Sequence, residues 1–176
     1  MKKNLHKKNR GFTLVEIMVS LGIFSVAMLL VVGGFIRSLR TERQSSAFTY
    51  VNNNMSIVIE QMAREIRTGF NFCINGNSCP SSSVLSFVNS SGNTITYCLE
   101  NGAVNRIIGS NCIPGQEITS SKVSIDYLTF IISGNQDDDG YPPRVTVLIG
   151  AKPKDQSSSM YNVNFQTTVS SRIIGA

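Results

Sequence analysis

The sequence predicts an α+β protein in which a long N-terminal helix, over about residues 12–68, carries a C-terminal antiparallel β-sheet packed on its second half. Three observations predict it. An apolar run covers residues 12–36, 25 positions with Glu16 as the only charge. A stripe of apolar side chains at helical spacing follows, at Val51, Met55, Val58, Met62 and Ile66. After Gly69 the texture changes to Ser, Asn and Gly interleaved with short β-prone runs.

The apolar run is long enough to cross a membrane. At 1.5 Å per residue its helix is about 37 Å long, against a hydrocarbon core of about 30 Å. Lys2, Lys3, Lys7, Lys8 and Arg10 precede it, whereas Arg37, Arg40 and Arg43 follow more sparsely and beside Glu42. By the positive-inside rule the N-terminal tail stays in the cytoplasm and the rest of the chain faces outward. A secretory signal would have an apolar core of about 7 to 15 residues and a small-residue cleavage site behind it. Here the run is longer and passes directly into the amphipathic stretch, where Ala47 extends the stripe and Glu60 and Arg64 form an i,i+4 pair on another face. One nearly continuous helix of about 85 Å is expected. Gly33-Gly34 and the Asn52-Asn53-Asn54 run are its weak points, and Gly69 is its stop.

Candidate strands are VLSFV (84–88), TITYCL (94–99), AVNRII (103–108), VSIDYLTFII (123–132), RVTVLIG (144–150) and NVNFQTTVSSR (162–172). Asn101-Gly102 between the second and third is a hairpin signal. In the fourth, Val123, Ile125, Tyr127, Thr129 and Ile131 alternate against Asp126, which predicts one buried face made of those five. A sheet covering the amphipathic half of the helix follows, because neither element can bury its apolar face alone. The expected divisions are a leader at 1–11, a membrane half-helix at 12–36, an amphipathic half-helix at 37–68 and a β domain at 69–176.

The formal net charge of +5 belongs to the leader: residues 12–176 hold 11 basic and 11 acidic side chains. A neutral body argues against nucleic acid as a partner. Cys73, Cys79, Cys98 and Cys112 match no zinc spacing and no histidine follows His6, so two structural disulfides in an oxidising compartment are the reading. Three connectivities are open, and the sequential one, 73 with 79 and 98 with 112, is preferred. The stretch NQDDDGYPPR resembles the first half of a calcium loop, with Asn135, Asp137 and Asp139 at alternate positions and Gly140 sixth. Its twelfth position is Thr146 rather than glutamate, and a solvated turn ended by Pro142-Pro143 is the simpler reading, with a weak calcium site at Asn135, Asp137 and Asp139 as the alternative; no other cofactor is expected. With no histidine beyond the leader and no cysteine left free, Ser-His and Cys-His nucleophile schemes are ruled out and no enzymatic role is expected.

The stretch RGFTLVEIMVSLGIFSVAMLL carries a more specific signal. A basic leader ending in Gly11, then Phe12, Thr13-Leu14-Val15 and Glu16 inside one apolar helix, resembles the class III signal of type IV pilins and pseudopilins. EQMAREIRTG (60–69) and NFQTTVSSR (164–172) are similar to minor subunits of the PilW and GspJ kind. Many major pilins carry a proline where this chain has Gly33. The resemblance implies the pilin fold and a prepilin peptidase that cuts between Gly11 and Phe12, with methylation of the new amine. It implies that Glu16 pairs with the N-terminal amine of an adjacent subunit. It also implies, as partners, other pilins or pseudopilins and an assembly platform with its ATPase. The protein would sit in the inner membrane with its C-terminal domain outside the cytoplasm, then in an extracytoplasmic filament. A second reading is a filament-borne binding module, an adhesin or DNA-uptake receptor at the tip, with Lys152 and Lys154 as a local basic patch.

Overall fold

A computed structural model describes residues 11–73, 81–109, 112, 115–134, 141–154 and 162–172. Its backbone is a long helix, α1 (Leu14–Arg67), followed by seven strands: β1 (Val84–Val88), β2 (Thr94–Glu100), β3 (Ala103–Ile108), β4 (Gln116–Glu117), β5 (Val123–Ser133), β6 (Arg144–Pro153) and β7 (Val163–Ser170). This is the expected α+β architecture, a long N-terminal helix and then antiparallel sheets, consistent with the pilin fold. Contacts divide the chain into two compact units, Met1–Ser45 and Ser46–Ala176.

Neither suspected weak point interrupts α1, which continues through Gly33-Gly34 and through Asn52-Asn53-Asn54. Asparagine disfavours helix interiors when its side chain competes for nearby backbone groups. Asn54 is engaged elsewhere: its Oδ1 accepts the Ser120 N–H at 3.2 Å. One turn earlier, Tyr50 Oη and Ser120 Oγ share a hydrogen bond of 2.6 Å, and the Lys122 ammonium lies 5.8 Å from the Tyr50 ring centroid. Asn54 and Tyr50 thus dock the segment before β5 onto the helix.

Within the second unit, α1 buries Val51, Met55, Val58, Met62 and Ile66. The strands that cover them form two antiparallel meanders, β1-β2-β3-β4 and β5-β6-β7. The hairpin between β2 and β3 turns at Asn101-Gly102, with φ of 52° and 73°, the pair of positive values a type I′ turn requires. The two sheets are stitched where Ile125 N–H donates to Gly102 C=O at 2.8 Å and Phe130 N–H donates to Ser82 C=O at 2.6 Å. Leu85, Phe87, Ile95 and Tyr97 from the first sheet and Ile125, Leu128, Val147 and Ile149 from the second join the helix stripe in one core. Among the buried polar groups, Thr96 Oγ1 donates to Gly109 C=O at 2.6 Å and so accepts from Ser86 Oγ at 2.9 Å, a chain that leaves neither hydroxyl unmet.

The expected buried face of β5 is corrected by a bulge. Pairing with β6 slips between Ile125 and Tyr127. One extra residue inverts the alternation beyond it, so Val123 and Ile125 are buried but Leu128 and Phe130 follow them inward, while Tyr127 and Ile131 face out. Tyr127 lies across Gly150, where an added Cβ would stand 2.3 Å from its ring, and its hydroxyl donates to Asn164 Oδ1 at 3.0 Å. The bulged Asp126 pairs with Lys152 Nζ at 2.6 Å.

The end of α1 is held by chain that is remote in sequence. Arg172 N–H donates to Arg67 C=O at 2.9 Å and Ser171 Oγ donates to Gly69 C=O at 2.7 Å, which satisfies carbonyls that a helix end leaves open. Gly69 marks the stop for a packing reason as well: a Cβ there would meet the Phe87 ring at 2.5 Å. Phe70 then pairs with Val88 along the outer edge of β1, and Cys73 N–H donates to Ser86 C=O at 2.6 Å.

Candidate processing and assembly segment

The segment is built on the start of α1. Gly11, Phe12 and Thr13 precede the helix and are exposed. Thr13 is its N-cap: the hydroxyl oxygen accepts the Glu16 N–H at 3.3 Å, and its C=O accepts the first helical bond, from Ile17 N–H at 3.2 Å. Thr13-Leu14-Val15-Glu16 has the spacing of a capping box, and a carboxylate in the first turn suits the positive end of the helix dipole. Glu16 is therefore well placed by local helix chemistry, apart from any partner. The Thr-x-x-Glu signal was present in the sequence, and this cap is what the sequence reading missed at the site.

Every residue from 11 to 46 is exposed, with Phe12 at 78% and Leu14 at 74%. By length and composition α1 can cross a membrane, and none of its most apolar window is buried within the protein. The Ser25 hydroxyl fits that setting: its Oγ donates to Leu21 C=O at 2.8 Å, so the group needs no bond from outside the helix. An apolar surface of this extent is a contact surface for lipid or for other helices. At Gly11 an added Cβ would meet nothing within 4 Å, so the fold around the junction does not demand a glycine.

The other sequence-predicted residues stand apart from this segment. Cys98 and Cys112 form a disulfide with Cα atoms 6.4 Å apart. Cys73 is also disulfide-bonded, while Cys79 lies outside the described residues. Asn135, Asp137 and Asp139 likewise lie outside them. Among the described residues no group of three or more His, Cys, Asp or Glu side chains is placed to hold a metal. Lys152, half of the suggested basic patch, is engaged by Asp126.

A polar cluster that the sequence reading did not single out ties α1 to the first sheet. Glu65 accepts from Arg106 Nε at 2.9 and 3.1 Å and from the Tyr97 hydroxyl at 2.8 Å. Tyr97 and Arg106 are direct cross-strand neighbours on β2 and β3, so one carboxylate spans both strands. Burial, and then the nearby Glu65 carboxylate, push the Tyr97 phenol far above the ordinary tyrosine range. The hydrogen bond it donates to Glu65 holds the Arg106 guanidinium more firmly protonated. The available signal was Glu65 itself, a charge flanking the apolar stripe beside Ile66. One turn away, the exposed Glu60 carboxyl is held below its usual range by the hydrogen bond from Arg64, the i,i+4 partner read from the sequence.

Residues 6–32 match the family described as the prokaryotic N-terminal methylation motif. The match is to a class III signal and supports a type IV pilin-like protein; such a signal implies processing by a prepilin peptidase and assembly with other pilins. Comparison with curated proteins and comparison with solved structures each returned no match.

Proposed function

We propose that this type IV pilin-like chain is a structural subunit, a minor pilin or minor pseudopilin of the PilW or GspJ kind, of a bacterial type IV pilus or type II secretion-type filament. The observation that carries the reading is the wholly exposed apolar half of α1, headed by Gly11-Phe12 and Glu16 inside the matched motif. Prepilin peptidase cuts between Gly11 and Phe12, and the new amine of Phe12 is methylated. The cut removes Lys2, Lys3, Lys7, Lys8 and Arg10, leaving 11 basic and 11 acidic side chains in balance.

Cleavage and assembly are linked through charge. In the uncut chain the Phe12 nitrogen is an amide and cannot pair with a carboxylate; after cleavage it is a cation. On insertion scales a charge at the membrane midplane costs about 2.5–3.5 kcal/mol, and less near an end, where Glu16 sits. In a packed filament core the unpaired carboxylate would cost several kcal/mol, which a well-placed ammonium of the neighbouring subunit offsets. Register between subunits is then set by one ion pair. The platform protein and ATPase lift the subunit from the inner membrane into the filament, with the β domain outside the cytoplasm.

The test is Glu16→Ala in the full chain. Leader removal should proceed as in the unsubstituted protein, while co-purification with the other filament subunits should fall at least about ten-fold, the effect of losing some 1.4 kcal/mol. Undiminished incorporation would sink the pairing role.

A further inference from the structure

We infer that Thr13 is a positioning residue for leader removal: its cap starts α1 just after the Gly11–Phe12 bond and so keeps that bond outside the helix, where its carbonyl can be attacked. The inference rests on the proposed processing at this bond. In hydrolysis, water oxygen adds to the Gly11 carbonyl carbon, the bond to the Phe12 nitrogen breaks, and the nitrogen takes a proton as the carboxylate is left on Gly11. The carbonyl must be reachable and able to become tetrahedral. A carbonyl inside a helix instead accepts from the N–H four residues on and is packed along the axis.

The position of the helix start is therefore not neutral for the reaction. The first N–H groups of a helix have no partner within it, and in an apolar setting unmet groups favour extension of the helix upstream. Asn9 stands ready as an alternative cap, since asparagine is among the best residues at that position. A helix capped there would make the Gly11 C=O the acceptor for the Val15 N–H and would place the Gly11–Phe12 bond in its first turn. Gly11 disfavours this extension as a poor helix former. Thr13 opposes it directly, because its hydroxyl takes the Glu16 N–H and its own C=O takes the first helical bond. Among the described residues nothing lies within 4 Å of a Cβ added at Gly11, so no packing contact there competes with this cap.

The experiment measures initial rates of leader loss, by mass, for the full-length precursor in membrane vesicles with added prepilin peptidase. Thr13→Val keeps the branched shape without an acceptor and should slow cleavage about five-fold, the bias that a cap of ordinary strength supplies. Thr13→Ser keeps the acceptor and should stay within about two-fold of the unsubstituted rate. Amide hydrogen exchange in the uncut precursor should show Val15 better protected in the valine variant than in the serine variant, a change that a role in filament contacts would not produce. If the unsubstituted precursor is cut and the valine variant is cut equally fast, or if serine is as slow as valine, the positioning role is overturned. If the unsubstituted precursor is not cut at all, the processing reading fails first and this inference with it.

Discussion

The two halves of α1 share a backbone and differ in what covers their apolar side chains. Residues 14–36 are apolar on all sides apart from Glu16 and are exposed throughout. Between 46 and 67, one stripe of five side chains is buried, and Glu60, Arg64 and Arg67 occupy solvent-facing positions. A helix that is hydrophobic all round asks for cover from every direction, which lipid or a bundle of neighbouring helices supplies; a striped helix asks for one covering layer, which the two sheets supply. The lesson is that regular hydrogen bonding makes both halves helical, while the width of the apolar face decides whether the covering layer is intramolecular.

Substituting methionine in each half should separate them most sharply. Met55 is fully buried, so Met55→Ala should destabilise the full chain by about 2–5 kcal/mol in chemical denaturation in detergent. Met28 is about half exposed, and Met28→Ala should leave the same midpoint unchanged. Equal effects would mean that the first half also packs on the body. A smaller effect is expected at the polar clamp: Glu65→Gln should cost about 1–3 kcal/mol, because Arg106 and Tyr97 lose charge-assisted partners in a site only a fifth to a quarter exposed. No loss there would mean that apolar packing alone attaches the striped half to the first sheet.

The subtlest difference lies in alkaline solution. The Tyr97 phenol is neutral in the fold well past the point where an unfolded tyrosine ionises, at about pH 10. Its raised pKa gives a contribution fully present below about pH 10 and lost as pH climbs toward the folded value, at up to about 1.4 kcal/mol per pH unit. Tyr97→Phe should flatten that limb between about pH 10 and 11 in denaturation midpoints. An unchanged slope would assign the alkaline loss to groups outside the clamp.

Much of this was legible in local pattern. The stripe at Val51, Met55, Val58, Met62 and Ile66 is buried as its spacing requires, and the turn at Asn101-Gly102 adopts the positive φ values that its residues favour. The two-residue β4 was not read, because a pairing that short leaves no period to detect. The N-cap at Thr13 was readable from Thr-x-x-Glu and was overshadowed by the charge of Glu16. The direction of β5 beyond Asp126 was not readable, since Tyr127 and Ile131 alternate as convincingly as Leu128 and Phe130.

By itself, the sequence determined where the helix is apolar all round, where it becomes amphipathic, where the chain turns to strands, and that a class III signal heads it. These are properties of composition and period, which act over a few residues. Only the tertiary structure decided that the strands divide into two sheets, that a bulge inverts β5, that Glu65 bridges Tyr97 and Arg106, and that residues 171 and 172 close the end of α1. Each of those depends on which distant groups meet, and a one-residue slip or a single ion pair is too small a bias to show in local pattern, though it is large enough to choose between packings of nearly equal energy.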